Sequence, residues 1–271
     1  MRTILLTGAS RGLGVQIADS LAGADTHLIL VARSREGLEA TAERVRAKGA
    51  QATVIPCDLS DSADIDRMAD EAGDVDVLIH NAGIEQVCEA VSQDPDFAAK
   101  QIAVNLTGPI RLTRRLAPAM VARGSGTIVM VSSMAGKSPT PYNAVYAGTK
   151  HGLNGYTSSL RLELMDTGVH VGVVCPGFVE GTGMWADGGH KAPALFSEVK
   201  PERVVAAVHK VMNGAVEVLV TPGPIRPMLA LAQFFPRIDG FSLKRIGVLQ
   251  TMRDRAEAEA ALATDSDTPP R

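Results

Sequence analysis

The chain has 271 residues, 45% of them hydrophobic and 21% charged, which is enough to bury the core of one soluble α/β domain. Its formal net charge of −3 gives no electrostatic reason to expect nucleic-acid binding. Cys57, Cys88 and Cys175 lack metal-ligand spacing. We therefore expect reduced thiols, no bound metal, no secretory signal, no membrane span and a cytoplasmic location.

Short apolar runs alternate with helical patterns along the chain. The apolar runs predict seven strands, at residues 3–7, 27–31, 52–56, 76–80, 126–131, 169–174 and 216–220. Helices are predicted between them, at residues 12–22, 36–48, 62–72, 97–122, 143–166 and 201–213. This alternation implies an α/β fold, a Rossmann-type doubly wound, seven-stranded parallel sheet with helices on both faces.

Ligands bind such sheets beyond the carboxyl ends of the strands. Six residues of the chain directly follow predicted strands and should therefore converge on one crevice: Ser10, Arg33, Asp58, Asn81, Ser133 and Gly177.

The first strand runs into a glycine-rich turn that opens a helix, TGASRGLG at residues 7–14. Glycines there permit a tight turn and close approach of the backbone to a pyrophosphate, which the helix N-terminus then attracts. The sequence context, strand then turn then helix, is the one that a dinucleotide site requires.

The end of the second strand indicates the cofactor. Enzymes that use NAD place a carboxylate there for the ribose hydroxyls, whereas this chain has Ala32 followed by Arg33. Arg11 adds a second guanidinium in the glycine-rich turn. Two arginines and no acid favour a 2′-phosphate, so NADP(H) is favoured and NAD(H) remains possible.

Tyr146 and Lys150 lie one helical turn apart in YAGTK, and Ser133 ends an apolar strand. The lysine charge is expected to lower the tyrosine pKa from about 10, making Tyr146 a general acid/base. Ser133 is expected to hydrogen-bond the reacting oxygen. Its neighbour Ser132 should point the other way, because side chains alternate along a strand.

Together these motifs resemble those of the short-chain dehydrogenase/reductases, over roughly residues 3–222. TGASRGLG resembles the cofactor loop, CDLSD (57–61) the adenine contact, and HNAG (80–83) the family's NNAG, with His80 in place of an asparagine. VNLTG carries Asn105, Ser133 precedes Tyr146 by thirteen residues, and PG (176–177) closes the set.

The resemblance implies hydride exchange between NADP(H) and a small carbonyl or alcohol substrate, with Tyr146 as the acid/base. The catalytic residues implied are Asn105, which anchors a water in the proton relay, Ser133, Tyr146 and Lys150. The cofactor residues implied are Gly8, Ser10, Arg11, Gly12, Leu13, Gly14, Arg33, Asp58, Leu59, Asn81, Ala82, Gly83, Tyr146, Lys150, Pro176, Gly177, Val179 and Thr182.

The loop after PG departs from the family pattern. The family places a threonine five residues past the proline, where this chain has Gly181 followed by Thr182. Residues 181–199 are rich in glycine and predict a mobile substrate lid. Its apolar residues favour a bulky apolar substrate; they are Met184, Trp185, Leu195 and Phe196.

Residues 1–222 are predicted to form the dinucleotide-binding and catalytic domain, 223–258 a helical extension of it, and 259–271 a disordered tail. Pro236 and Gly240 divide the extension into two helices. The segment 224–258 either covers the substrate cleft or a subunit interface, or makes a peripheral membrane contact through its basic and apolar residues. The resemblance implies a homo-oligomer, because members of this family often assemble through the two long helices that correspond to 97–122 and 143–166.

Two functions of different class remain at this point. One is the NADP(H)-dependent carbonyl reductase or alcohol dehydrogenase; the other is a non-catalytic dinucleotide sensor. A 3-oxoacyl thioester, a steroid or retinoid ketone and a small carbonyl are all open as substrates. The direction of reaction is open as well, although cellular NADPH favours reduction.

Overall fold

The computed structural model describes residues 1–187, 192, 198–223, 225–235 and 247–265. Within these residues seven strands form one sheet of order β3-β2-β1-β4-β5-β6-β7, with every neighbouring pair parallel. The strands are β1 (Arg2–Thr7), β2 (Thr26–Ala32), β3 (Gln51–Pro56), β4 (Val77–His80), β5 (Gly126–Val131), β6 (Val169–Pro176) and β7 (Glu217–Val220). The predicted doubly wound parallel sheet is confirmed.

Helices cover both faces of the sheet. They are α1 (Gly12–Leu21), α2 (Arg35–Ala47), α3 (Ser62–Ala72), α4 (Pro95–Ile102), α5 (Gly108–Arg123), α6 (Ala144–Glu163), α7 (Gly183–Asp187), α8 (Pro201–Met212), α9 (Arg226–Phe234) and α10 (Val248–Asp265). None of the helices in the described residues combines the length and apolarity needed to cross a membrane.

Alternating strand residues feed two separate cores. Ile4 and Leu6 of β1 join one core with the buried faces of α1, α2 and α8. Leu5, between them, joins the other core with α3, α5 and α6. Because side chains alternate along a strand, near-continuous apolar runs are what a sheet buried on both faces requires.

The predicted helix 97–122 is interrupted. A π-helical turn, Ala103–Thr107, separates α4 from α5, and the Gly108 N–H donates to the Ala103 carbonyl five residues back. Pro109 follows, and since proline has no N–H, the usual helical hydrogen bond to the Asn105 carbonyl cannot form. The proline thus accounts for a break that the apolar pattern does not reveal.

The predicted tail also starts too early. Helix α10 continues through residues 259–265 as far as Asp265, so the predicted boundary at 259 is wrong. The physical reason is partly tertiary: the Glu259 carboxylate accepts from the backbone N–H of Val87, a contact that a local polar composition does not predict, and also from Arg255 one turn earlier in α10. Residues 266–271 lie outside the described residues, as do Pro236 and Gly240.

Candidate active site

A single cavity of about 970 Å³ opens beyond the carboxyl ends of the strands. It is lined by all the residues predicted to hold a cofactor, and by Ser133. The six residues expected to converge because they follow strands all line it. Asn105 is not part of the lining; it is fully buried behind the wall, beneath Gly83.

The glycine-rich turn is shaped as a phosphate cradle. Gly8 has φ +70°, and a Cβ there would lie 2.8 Å from the Cα of Ala82. A Cβ on Gly14 would lie 1.9 Å from the carbonyl oxygen of Gly8. The N-cap of α1, Arg11, makes no side-chain capping hydrogen bond, so the first N–H groups of the helix are left for an anion. These residues fit a dinucleotide's pyrophosphate.

The HNAG segment is tied to the same turn by hydrogen bonds between side chains and the backbone. The Thr7 hydroxyl accepts from the N–H groups of Asn81 and Ala82, at 3.0 and 3.1 Å. The Asn81 amide donates to the Thr7 carbonyl at 3.1 Å. His80 is buried, and its Nε2 lies 2.9 Å from the Thr113 hydroxyl.

The ribose end of the cavity carries exposed Arg33, next to Ala32 at the end of β2. Asp58, also in the lining, accepts hydrogen bonds from the backbone N–H and the hydroxyl of Ser60, at 2.9 and 2.7 Å. The carboxylate of Asp58 is thus fixed by its own loop. The positive charge of Arg33 stays at the opening of the cavity.

Ser133, Tyr146 and Lys150 come together at the centre of the cavity. The Ser133 hydroxyl interacts with the Tyr146 phenol closely enough to favour a lower pKa of Tyr146. Lys150 lies with Nζ 5.6 Å from the centroid of the Tyr146 ring and donates to the Val131 carbonyl at 3.1 Å. Ser132 instead donates to the carbonyl of Lys150, which separates the two serines as the strand alternation predicts.

The expected lowering of the tyrosine pKa is wrong for this structure. Burial of the phenol raises the pKa of Tyr146, and the negative charge of Glu85 adds to the rise. The interaction with Ser133 and the charge of Arg255 oppose it. Burial also lowers the pKa of Lys150 to about 8. The loss of hydration on burial raises the pKa of Tyr146 by more than the lowering that was expected from the nearby charge of Lys150.

Asn105 sits in the π-helical turn and is held through its side chain. Its Oδ1 accepts from the Ile84 N–H at 2.8 Å, and its Nδ2 donates to the Ile84 carbonyl at 2.8 Å. Nδ2 also donates to the Thr149 hydroxyl at 3.3 Å. Asn105 therefore fixes the loop after β4 against the helix that carries Tyr146.

The loop after β6 folds over the glycine-rich turn. Gly181 has φ +64°, and Thr182 brings its hydroxyl within 3.5 Å of a Cβ built on Gly12. Thr182 thus lies at the turn although it stands one residue later than the family pattern. Val179 pairs with Val199 in an isolated parallel bridge, which anchors the start of the loop.

The far side of the cavity is apolar. The Phe178 and Trp185 rings are 4.2 Å apart, and the Trp185 indole donates to Glu198 at 3.0 Å. Helices α9 and α10 complete the wall with Met228, Leu229, Leu231, Val248 and Met252. The extension thus covers the cleft, one of its predicted roles. Of the predicted lid, Leu195 and Phe196 lie outside the described residues, as do residues 188–191.

Sequence reasoning missed a charged cluster beside Tyr146. Glu85 and Asn143 line the cavity, and Arg255 of α10 reaches Glu85 from behind, with 3.2 Å between its guanidinium and the carboxylate. The two charged residues are 170 positions apart, so no local pattern could have joined them. Groups of three or more residues able to hold a metal are absent from the described part of the chain.

Comparison with known proteins identifies the family to which the chain belongs. A family model described as short chain dehydrogenase matches residues 2–193. The chain belongs to the short-chain dehydrogenase/reductase family. Among curated proteins, it is similar to the ketoacyl reductase HetN of Nostoc sp., which is 40% identical over 266 residues, or 94% of this chain and 93% of that protein.

Solved structures that are similar to the chain are also oxidoreductases. A metagenomic short-chain oxidoreductase in complex with NADP has 34% identity and a TM-score of 0.70, over 82% of this chain and 98% of that one. A 3-oxoacyl-[acyl-carrier protein] reductase from Brucella melitensis with bound NAD has 28% identity and a TM-score of 0.71, over 81% and 89% of the two chains. The chain is an oxidoreductase of this family.

Proposed function

We propose that the protein is an NADP(H)-dependent oxidoreductase that interconverts a ketone or aldehyde and an alcohol, with Tyr146 as general acid/base. The observation that carries this is the grouping of Ser133, Tyr146 and Lys150 in one cavity. The phosphate cradle lies at one end of that cavity and an apolar wall at the other. Asn105 is proposed to complete the site through the backbone that it holds.

Three features support NADP(H) as the cofactor. Gly8 and Gly14 pack so tightly against backbone that a Cβ at either would collide, which keeps the turn compact at the cavity wall, and α1, whose N-terminus favours an anion, begins within this turn. Arg33 lies at the cavity opening beside Ala32, where an NAD enzyme would carry an acid. One solved relative is a complex with NADP and another has bound NAD, so NAD(H) remains the alternative.

In the reductive direction, the hydroxyls of Ser133 and Tyr146 donate hydrogen bonds to the substrate's carbonyl oxygen. The Tyr146 proton then passes to that oxygen as negative charge develops there. The nicotinamide, when bound, supplies the hydride to the carbonyl carbon. With its pKa raised by burial, Tyr146 is protonated at neutral pH and is therefore available as the proton donor in this direction.

Lys150 contributes a positive charge beside the phenol. With its pKa lowered to about 8, the side chain is mostly an ammonium at pH 7 and stabilises the phenolate left after proton transfer. It is also placed to hold the nicotinamide ribose, since Nζ lies 3.7 Å from a Cβ built on Gly83 at the cavity wall.

The apolar wall favours a bulky apolar carbonyl substrate. Trp185, Met228 and Met252 line the part of the cavity beyond Tyr146. Because the relative from Nostoc is named a ketoacyl reductase, a 3-oxoacyl group is the substrate class we favour. We also propose a cytoplasmic location. A non-catalytic sensor is the alternative, and the retained Tyr146 and Lys150 argue against it.

The test is a fluorescence titration of NADPH and NADH against the wild type and Arg33→Ala. We expect tighter binding of NADPH, weakened about tenfold to a hundredfold by the substitution, because charge-assisted hydrogen bonds contribute about 1.5–3 kcal/mol. NADH affinity should change little.

The matched control is Arg35→Ala, which removes an equal charge two residues on. Arg35 is exposed, pairs with Glu39 and does not line the cavity. If Arg33→Ala and Arg35→Ala bind both cofactors as the wild type does, the 2′-phosphate assignment fails. If neither cofactor binds the wild type, the dehydrogenase proposal itself fails.

A further inference from the structure

A buried charged cluster links the C-terminal helix to the reaction centre. Arg255 of α10 has a side chain only 5% exposed, and Glu85 one only 11% exposed. Arg255 donates to Glu85 at 3.2 Å and to Glu259 at 2.9 Å. Charges so far from water persist only when they are paired, so the three side chains form one unit.

Arg255 also holds the loop that follows β6. It donates to the carbonyl of Met184 at 3.2 Å, and its guanidinium lies 5.2 Å from the Trp185 ring centroid. Both residues line the cavity. Val248 and Met252 of α10 line the cavity as well. The helix that carries Arg255 therefore forms part of the apolar wall on the proposed substrate side of the cavity.

Glu85 transmits this anchoring to the start of the catalytic helix. Its carboxylate accepts from the Asn143 amide at 2.9 Å. Asn143 is the N-cap position of α6, and its carbonyl accepts from the Ala147 N–H at 2.9 Å. Asn143 makes no side-chain cap bond, so Glu85 orients it instead. Tyr146 lies in the first turn of that helix.

The turn before α6 needs such support because it is strained. Tyr142 has φ +59°, a left-handed conformation that is unfavourable for a residue with a side chain. Its carbonyl accepts from the Cys88 N–H at 2.8 Å, and its hydroxyl accepts from Arg253 of α10 at 2.7 Å. Helix α10 therefore contacts the turn at two points: Arg253 binds Tyr142 directly, and Arg255 is linked to Asn143 through Glu85.

The charges of the cluster act on Tyr146 with opposite signs. Glu85 raises the pKa of Tyr146, and Arg255 lowers it. Burial raises the pKa of Glu85, while the charge of Arg255 opposes the rise and that of Glu259 adds to it. The positive charge of Lys150 also acts to lower the pKa of Glu85. Removal of Arg255 alone would leave a buried carboxylate facing the phenol.

We propose that Glu85 and Arg255 are positioning residues of the reaction, through which α10 holds the Asn143 turn and so places Tyr146. This rests on the proposed function, because the consequence for turnover requires that Tyr146 be the acid/base. The consequence for the structure of the turn does not require it.

The test compares Glu85→Gln, Arg255→Gln and the double variant. We expect kcat to fall about tenfold or more in Arg255→Gln, with NADPH affinity within about twofold of the wild type, because small misplacements of a reacting group are costly. The double variant should recover part of that loss, since it removes the unpaired Glu85 carboxylate next to Tyr146, while Glu259 keeps its hydrogen bond from the Val87 N–H. The basic limb of the pH–rate profile should move to higher pH in Arg255→Gln and return in the double variant.

A second readout needs no substrate. Hydrogen exchange at the Ala147 amide, followed in a peptide that spans residues 140–150, should accelerate in both single variants. The control is Glu257→Gln, the same chemical change at an exposed position of α10. Unchanged exchange and unchanged kcat in folded Glu85→Gln and Arg255→Gln would overturn the proposal.

The two readouts separate two kinds of failure. If the wild type turns over no carbonyl with NADPH, the proposed function fails, and the exchange data still decide whether the cluster holds the turn. If exchange accelerates but kcat and the pH profile do not move, the cluster is only structural and the positioning role is rejected.

Discussion

At the residue scale, His80 offers a test that needs neither cofactor nor substrate. It is fully enclosed, and burial lowers its pKa to about 3. In the unfolded chain a histidine titrates near 6.5, so the unfolded state binds more protons between these values. Stability should therefore fall as the pH drops from about 6.5 towards 3, by about 1 kcal/mol for each pH unit below 6.

The variant His80→Asn removes this proton and restores the residue of the family pattern. Its own packing cost applies at every pH and cancels when two pH values are compared. Urea unfolding at pH 7.5 and 5 should show a smaller loss of stability on acidification in the variant than in the wild type. Equal losses in both proteins would mean that His80 charges freely in the folded state.

The grouping of the three proposed reacting residues could be predicted from the sequence, but their electrostatics could not. Tyr146, Lys150 and Ser133 follow from spacing along one helix and one strand. The direction of the Tyr146 pKa depends on burial and on Glu85 and Arg255, which tertiary packing alone brings near. A pKa is set by everything within a few ångströms, whereas a motif records only neighbours in sequence.

At the element scale, two glycines on helices make a matched pair. Gly14 lies in the first turn of α1, where an added Cβ would collide with the carbonyl of Gly8. Gly155 lies within α6, exposed, with nothing near an added Cβ. The same substitution to alanine should have opposite effects at the two sites.

We expect Gly14→Ala to lower the free energy of unfolding by about 1–3 kcal/mol, because backbone must shift to admit the methyl group. Gly155→Ala should raise it by about 0.5–1 kcal/mol, since alanine loses less backbone entropy within a helix. Urea unfolding measures both. A neutral Gly14→Ala would show that the turn is looser than its contacts indicate, and NADPH titration of that variant would then also be unaffected.

Helix and strand identities followed from apolar periodicity, and the strand ends agree within two residues. The exceptions share a cause. The π-helical turn at Ala103–Thr107 depends on Pro109 and on the bonds of Asn105 to Ile84, and α10 is held at Glu259 by the distant backbone N–H of Val87. Periodicity reports which face of a segment is buried, not which distant side chain stabilises its end.

At the scale of the whole molecule, two sets of apolar side chains remain in water. One lies on or beside α4, α5 and α6: Ile102, Val121, Leu162 and Met165. The other lies on or beside α9: Met228, Leu231, Phe234 and Phe235. Exposed apolar groups of this size often mark interaction surfaces. The first set supports the proposed homo-oligomer, and the second supports the proposed membrane contact.

The roles of the two surfaces can be tested separately by two measurements, in which the variant for one surface serves as the control for the other. Light scattering after gel filtration should give a mass above that of one 28.5 kDa chain, and Leu162→Glu should shift it towards the monomer, because burying an unpaired carboxylate in an interface is costly. Phe234→Ser should leave the mass unchanged and instead reduce pelleting with anionic vesicles. A monomeric wild type would reject the oligomer. A wild type that stays wholly in the supernatant would reject the membrane contact and leave α9 only its place in the cavity wall.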